Sequence, residues 1–126
     1  MATPNAKRPN GHTCILACCG ASNLGQVCAH AAMELAEERF CEMICTAAIA
    51  ARQKWAVDRV RAAERVVALN GCDCRCVNRI LKDVGRSDFA AVVAVDLAID
   101  KSPGFFAHTY EVEKVKETAR RAVVEA

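Results

Sequence analysis

Four short runs of this chain are apolar for most of their length, and the segments between them carry apolar residues at helical spacing. The runs are HTCILACC (12–19), CEMICTA (41–47), RVVALNG (65–71) and FAAVVAVDLAI (89–99). A strand covered on one face alternates apolar with polar. A near-continuous apolar run needs cover on both faces, as in a parallel sheet between helical layers. The segments between the runs fit those layers. VCAHAAMELAEERF continues a pattern of Leu24, Cys28, Ala31, Ala32 and Leu35, with Glu34, Glu37, Glu38 and Arg39 mostly opposite. Ser22 or Asn23 is suited to cap it. Residues 51–64 have the charge density of a helix with an exposed face. Residues 74–85 place Val77, Ile80, Leu81 and Val84 on one helical side, with Gly85 as a stop. Residues 101–110 read as a loop and 111–126 as a terminal amphipathic helix.

The expected fold is therefore α/β: a single-domain, three-layer sandwich around a four-stranded parallel sheet of order 2-1-3-4, Rossmann- or flavodoxin-like. Right-handed crossovers give that order. Ligands of such sheets sit beyond the carboxyl ends of the strands, at the switch between strands 1 and 3. Residues 1–11 read as a flexible leader and 12–126 as the domain.

Composition removes several function classes. With 126 residues and 53% hydrophobic content, the chain can build one ordinary core. A formal net charge of +2, with no basic tract, gives no support to nucleic-acid binding. No apolar run approaches the roughly 20 residues of a membrane span. The polar, Pro-containing start lacks the apolar centre of a secretory signal, so a cytoplasmic location is expected. Thiols stay reduced there. The nine cysteines are an odd number, which disfavours a closed disulfide set. They are left as metal ligands, reactive thiols or small buried residues.

Their positions are not random. Cys18 and Cys19 end the first run, Cys45 lies near the end of the second, and Cys72 follows the third. These segments deliver thiols to one edge of the expected sheet. If a helix starts after Cys72, Cys76 lies one turn on and forms a chelating pair with it, while Cys74 points elsewhere. The CxxxC pairs 14/18 and 41/45 span about 13 Å on a strand, too far for one metal. Cys14, Cys41 and Cys28 therefore read as buried apolar residues, and Cys19 as bystander or spare ligand. Four cysteines suit zinc, and the same set suits an iron–sulfur cluster. His12 precedes strand 1 at the opposite edge, His30 is expected half-buried, and His108 lies in a loop on the site side. All three read as structural or solvated. Asp96 is placed for a supporting acceptor. The GASNLGQ turn (20–26), with Ser22 and Asn23, suits a small anion at a helix start. It lacks the Lys of a phosphate loop and the three-glycine dinucleotide fingerprint.

Taken together, CCGASNLGQ, CTAAIA, NGCDCRC and VDLAI resemble the DGC-domain family, named for an Asp-Gly-Cys motif and proposed to bind zinc through four cysteines. The resemblance runs from about Cys14 to about Glu113. By position it implies Cys18, Cys45, Cys72 and Cys76 as the ligands, and it supplies a fold and a ligand set without a reaction. The chain departs from the pattern at several places. Asn70 stands for the motif's Asp, Cys19 for a Ser, Asp73 for a Pro, and Ala48, Ala50 and Ala98 for glycines. The extra thiols Cys19 and Cys74 suit an alternative role in redox or sulfur handling. A small phosphoanion-binding enzyme is the second alternative.

Overall fold

The structure is a computed structural model that describes residues 12–124; the leader reading falls on residues outside these. The first apolar run forms β1 (Thr13–Ala17), buried at every position. It is followed by α1 (Asn23–Glu37), β2 (Glu42–Met43), α2 (Thr46–Ala50), α3 (Lys54–Ala62) and β3 (Arg65–Asn70). The chain continues through α4 (Cys76–Asp83), β4 (Ala90–Val93), a 3-10 turn at Ala94–Leu97, and α5 (Thr109–Val124). The sheet is parallel throughout, in the order β2-β1-β3-β4.

Side chains alternate across a strand, and that alternation builds the two cores. Ile15, Ala17, Val67, Leu69 and Val92 face a layer made of α1 and α5. Cys14, Leu16, Val66 and Ala68 face the other way, toward buried residues of α2, α3 and α4. Helices thus cover both faces, which is why the central strands β1 and β3 are apolar for most of their length.

Two strands are shorter than the sequence suggests. The 41–47 run yields only Glu42 and Met43, paired with Cys14 and Ile15. The chain then turns, because the Thr46 hydroxyl donates to the Ala17 carbonyl at 2.8 Å. The alanines that follow favour a helix and form α2, an extra short helix ahead of the one expected at 51–64, which is α3. The 89–99 run leaves the sheet at Val93 and coils into the 3-10 turn. Its start is held by a hydrogen bond from Val95 N to Gly71 O at 3.2 Å. Helix ends follow the sequence signals more closely. Ser22 caps α1 by accepting from Gly25 N. Gly85, at φ +87, ends α4, with Gly85 N and Arg86 N donating back to Lys82 O and Leu81 O.

A buried cation joins α5 to α1. Lys116 is 4% exposed and donates to Glu34, Glu38 and Glu113 at 2.9, 2.6 and 3.3 Å, while Arg120 also pairs with Glu38. Burial alone would lower the ammonium pKa, but the hydrogen bonds it donates to Glu38, Glu34 and Glu113 outweigh it and hold the pKa above its ordinary value. For Glu38, burial works upward, and hydrogen bonds from Lys116 and Arg120 more than reverse it. The signs follow. Glu38's contribution is whole above its ordinary value of 4.5 and is lost as pH falls through its lower folded value. Lys116's is whole below 10.5 and is lost only as pH rises through its raised folded value. Lys116→Ala should cost about 1–2 kcal/mol at pH 7, discounted because the three carboxylates are partly exposed. Urea titrations should show the gap to wild type narrowing below the carboxylate range. A gap independent of pH would contradict this assignment.

Candidate metal centre

The thiol-bearing turns come together because two glycines let backbone approach backbone at the start of α1. A Cβ on Gly25 would lie 2.5 Å from Gly20 O, and one on Gly71 would lie 3.0 Å from the Leu24 carbonyl carbon. The turn after β1 and the turn after β3 therefore both press on the first residues of α1. Cys18, still tied to β3 by its N–H to Leu69 O at 2.9 Å, is half-buried, as is Cys72. Cys45 is exposed at the residue that starts α2, and Cys76 is exposed at the first residue of α4.

The thiols are electrostatic neighbours. Cys19, whose Sγ lies 3.8 Å from Ala17 O, has its pKa raised by burial and then by Cys18 and Cys45. The Cys74 thiol is raised by its hydrogen bond with Cys72 and by the charges of Cys72 and Cys76, against the pull of Lys101. Cys28, beneath them in α1, is pushed up to about 12 by burial and by Cys18, Cys19 and Cys72. No three of these thiols lie within 4.8 Å of one another, whereas a tetrahedral zinc shell sets S···S near about 3.8 Å. The donor set fits a thiophilic metal in chemistry. Its ring is more open than a closed shell.

The 72–76 segment corrects one expectation. Cys72 and Cys76 do not share a helical turn. Residues 71–75 form a tight turn, with Arg75 N donating to Cys72 O at 3.2 Å and Arg75 itself left-handed at φ 51. The helix begins only at Cys76. Its first turn is capped from the end of β3 rather than from within the turn: buried Asn70 accepts from Val77 N at 3.1 Å and donates to Asn78 Oδ1 at 2.8 Å. An Asp at position 70 would keep the acceptor and lose the donor, which a flipped Asn78 amide would replace.

Other candidates fall as follows. Ser22 Oγ is used by Gly25 N. Buried Asn23 donates to Asp100 O and accepts from Ser102 N, both at 2.9 Å, and so pins the loop after the 3-10 turn to α1. Exposed Asp96 makes a loose pair with Arg75 at 3.9 Å. His30 is exposed rather than half-buried. His108 is exposed between the rings of Phe106 and Tyr110. Cys14 and Cys41 have thiols pushed up to about 11 and about 12, mainly by burial.

At the opposite edge the structure gathers a group the sequence reading passed over. The ligand atoms of His12, Cys14 and Glu42 all lie within 4.8 Å of one another, and no other such group of three occurs among the described residues. The signal was present as His-x-Cys on a strand, which puts both side chains on one face. Glu42 joins them only through the β1–β2 register.

A family model of the DGC domain matches residues 14–119. The chain belongs to the DGC-domain family. Among curated proteins, the anaerobic and virulence modulator AnvM of Pseudomonas aeruginosa is 34% identical over 67 residues, 53% of this chain. The match spans about half of that relative, 51% of its length. No solved structure matches the chain.

The family's glycine positions gain meaning from the geometry. Ala48 and Ala50 lie inside α2, where alanine favours the helix. Ala98 ends the 3-10 turn at φ 61, a left-handed conformation that suits glycine. Ala98→Gly should therefore stabilise the chain by about 0.5–1 kcal/mol. Gly25→Ala should destabilise it by about 2 kcal/mol, because the added methyl meets backbone rather than a movable side chain. Denaturation midpoints moving in opposite directions would bear this out. Equal shifts would not.

Proposed function

We propose that this protein is a cytoplasmic zinc-binding protein whose ion is held by Cys18, Cys45, Cys72 and Cys76. The observation that carries the reading is the delivery of thiols to one sheet edge by three strand ends and a helix start. Membership of the DGC family supports it. A bound zinc would draw the exposed Cys45 and Cys76 toward the half-buried Cys18 and Cys72 and tie the ends of β1, β2 and β3 together, so metal binding would add to folding stability. Four thiolates leave no position for water, which points away from hydrolysis.

Cys19 and Cys74 favour one second reading, an iron–sulfur or sulfur-handling centre. Both are exposed free thiols beside the proposed ligands, and Cys72 and Cys76 raise the Cys74 pKa. Metal analysis and visible absorption of anaerobically purified protein separate the two. Near-stoichiometric zinc in a colourless protein is expected, and a brown protein with charge-transfer absorption would replace zinc with a cluster. Single Cys→Ser changes at positions 18, 45, 72 and 76 should each lower the metal content and the thermal midpoint. Full metal retention in all four variants would defeat the ligand assignment.

A further inference from the structure

We propose a second metal site at the amino edge of the sheet, a three-ligand zinc site formed by His12, Cys14 and Glu42. It is separate from the thiol cluster in position and in donor chemistry. Strand geometry builds it. His12 and Cys14 are two residues apart, so they share a face, and the parallel register sets Glu42 directly beside Cys14. His12 is held in line by the β3 chain, since its carbonyl accepts from Glu64 N at 3.0 Å and Arg65 N at 3.2 Å.

His12 and Glu42 already form a hydrogen-bonded pair, and the Cys14 sulfur beside them lies within reach of the same ion. Cys14 Sγ lies 3.9 Å from His12 Nε2 and 4.0 Å from Arg59 O, so the buried thiol has only long contacts. His12 Nε2 lies 2.8 Å from Glu42 Oε1. A tetrahedral zinc with bonds of about 2.0 Å to N and O and about 2.3 Å to S sets its ligand edges near about 3.3–3.5 Å. The sulfur–nitrogen edge would close, and the nitrogen–oxygen edge would open, each by roughly half an ångström.

Charge and outer contacts agree. One thiolate and one carboxylate balance a divalent ion, and neutral imidazole completes the set. Glu42's second oxygen is paired with Arg59, which fixes the carboxylate from outside in the manner of an outer-shell partner. The mixed N, S and O donors favour zinc over calcium or magnesium. His12 and Glu42 are the partly exposed members, with 49% and 32% of their side-chain surface open, so an ion reaches the buried sulfur from their side. The fourth position is left to water.

The test uses the full, reduced chain equilibrated with zinc and, separately, with cobalt(II), followed by metal analysis and absorption spectroscopy. Wild type should carry one metal ion more per chain than His12→Ala or Glu42→Gln. Its cobalt form should show four-coordinate visible bands and single-thiolate charge-transfer intensity that both variants lose. The loss of affinity should exceed the roughly 10–100-fold that removal of an outer-shell partner costs. His12 is exposed and glutamine preserves the shape of Glu42, so both variants should fold, as circular dichroism checks. Equal metal content and equal cobalt spectra in wild type and both variants would overturn the proposal. The four-cysteine reading is judged apart from it: metal lost on Cys45→Ser but kept on His12→Ala belongs to the carboxyl edge, and the reverse pattern to this one.

Discussion

The pairing of β1 with β3 is the interaction on which both edges of the molecule depend. Five rungs join them, from Thr13–Arg65 to Ala17–Leu69, and every β1 residue is buried. The ladder does not stop where the strands do. Cys18 N reaches Leu69 O beyond the carboxyl end, and His12 O receives Glu64 N and Arg65 N beyond the amino end. The pairing therefore fixes the backbone of the first candidate ligand at each edge. Slipping it by one residue would turn Cys14 and His12 to the α1–α5 face and Ile15 and Ala17 away from it. That is prohibitive when both faces are packed with apolar side chains.

Periodicity made the architecture legible, because strand alternation, helix faces and crossover handedness are local or nearly local properties. The parallel sheet, its order and its two cores follow from Ile15, Leu16, Val66, Val67 and Val92 recurring as they do. Element lengths were not legible in the same way. An apolar run such as CEMICTA fits strand and helix alike, and the choice at Thr46 is made by a hydroxyl bonding a carbonyl 29 residues away. The turn at 71–75 shows the same limit. Gly71 leaves room for Leu24, and Arg75 adopts a left-handed conformation. Neither fact is written in the spacing of the three cysteines.

The two candidate centres differ in how much of each the sequence disclosed, for a physical reason. Clustering at the carboxyl edge needs only topology: strands that run the same way end at the same edge, so cysteines at strand ends must be neighbours. The group at the amino edge needs register. Glu42 lies beside Cys14 rather than one rung away, in a β2 that pairs at only two positions, and a two-residue strand leaves no pattern from which to read that register.

The donor chemistry at the two edges also argues that they would not compete for the same role. Cysteine thiols alone at the carboxyl edge favour a thiophilic metal and, once all four bind, close the shell. One thiol, one imidazole and one carboxylate at the amino edge balance a divalent charge and leave a position open. Along β1 the edges stand roughly 15 Å apart at about 3.3 Å per residue, beyond direct ligand contact. Any coupling between them must pass through the β1 backbone and its rungs to β3. A closed site at one end stiffens the strand ends it ties together, and the same rungs hold His12 and Cys14 in line at the other. That backbone holds Cys18 N against Leu69 O at one end and His12 O against Glu64 N and Arg65 N at the other, so the same ladder positions a candidate ligand at each edge.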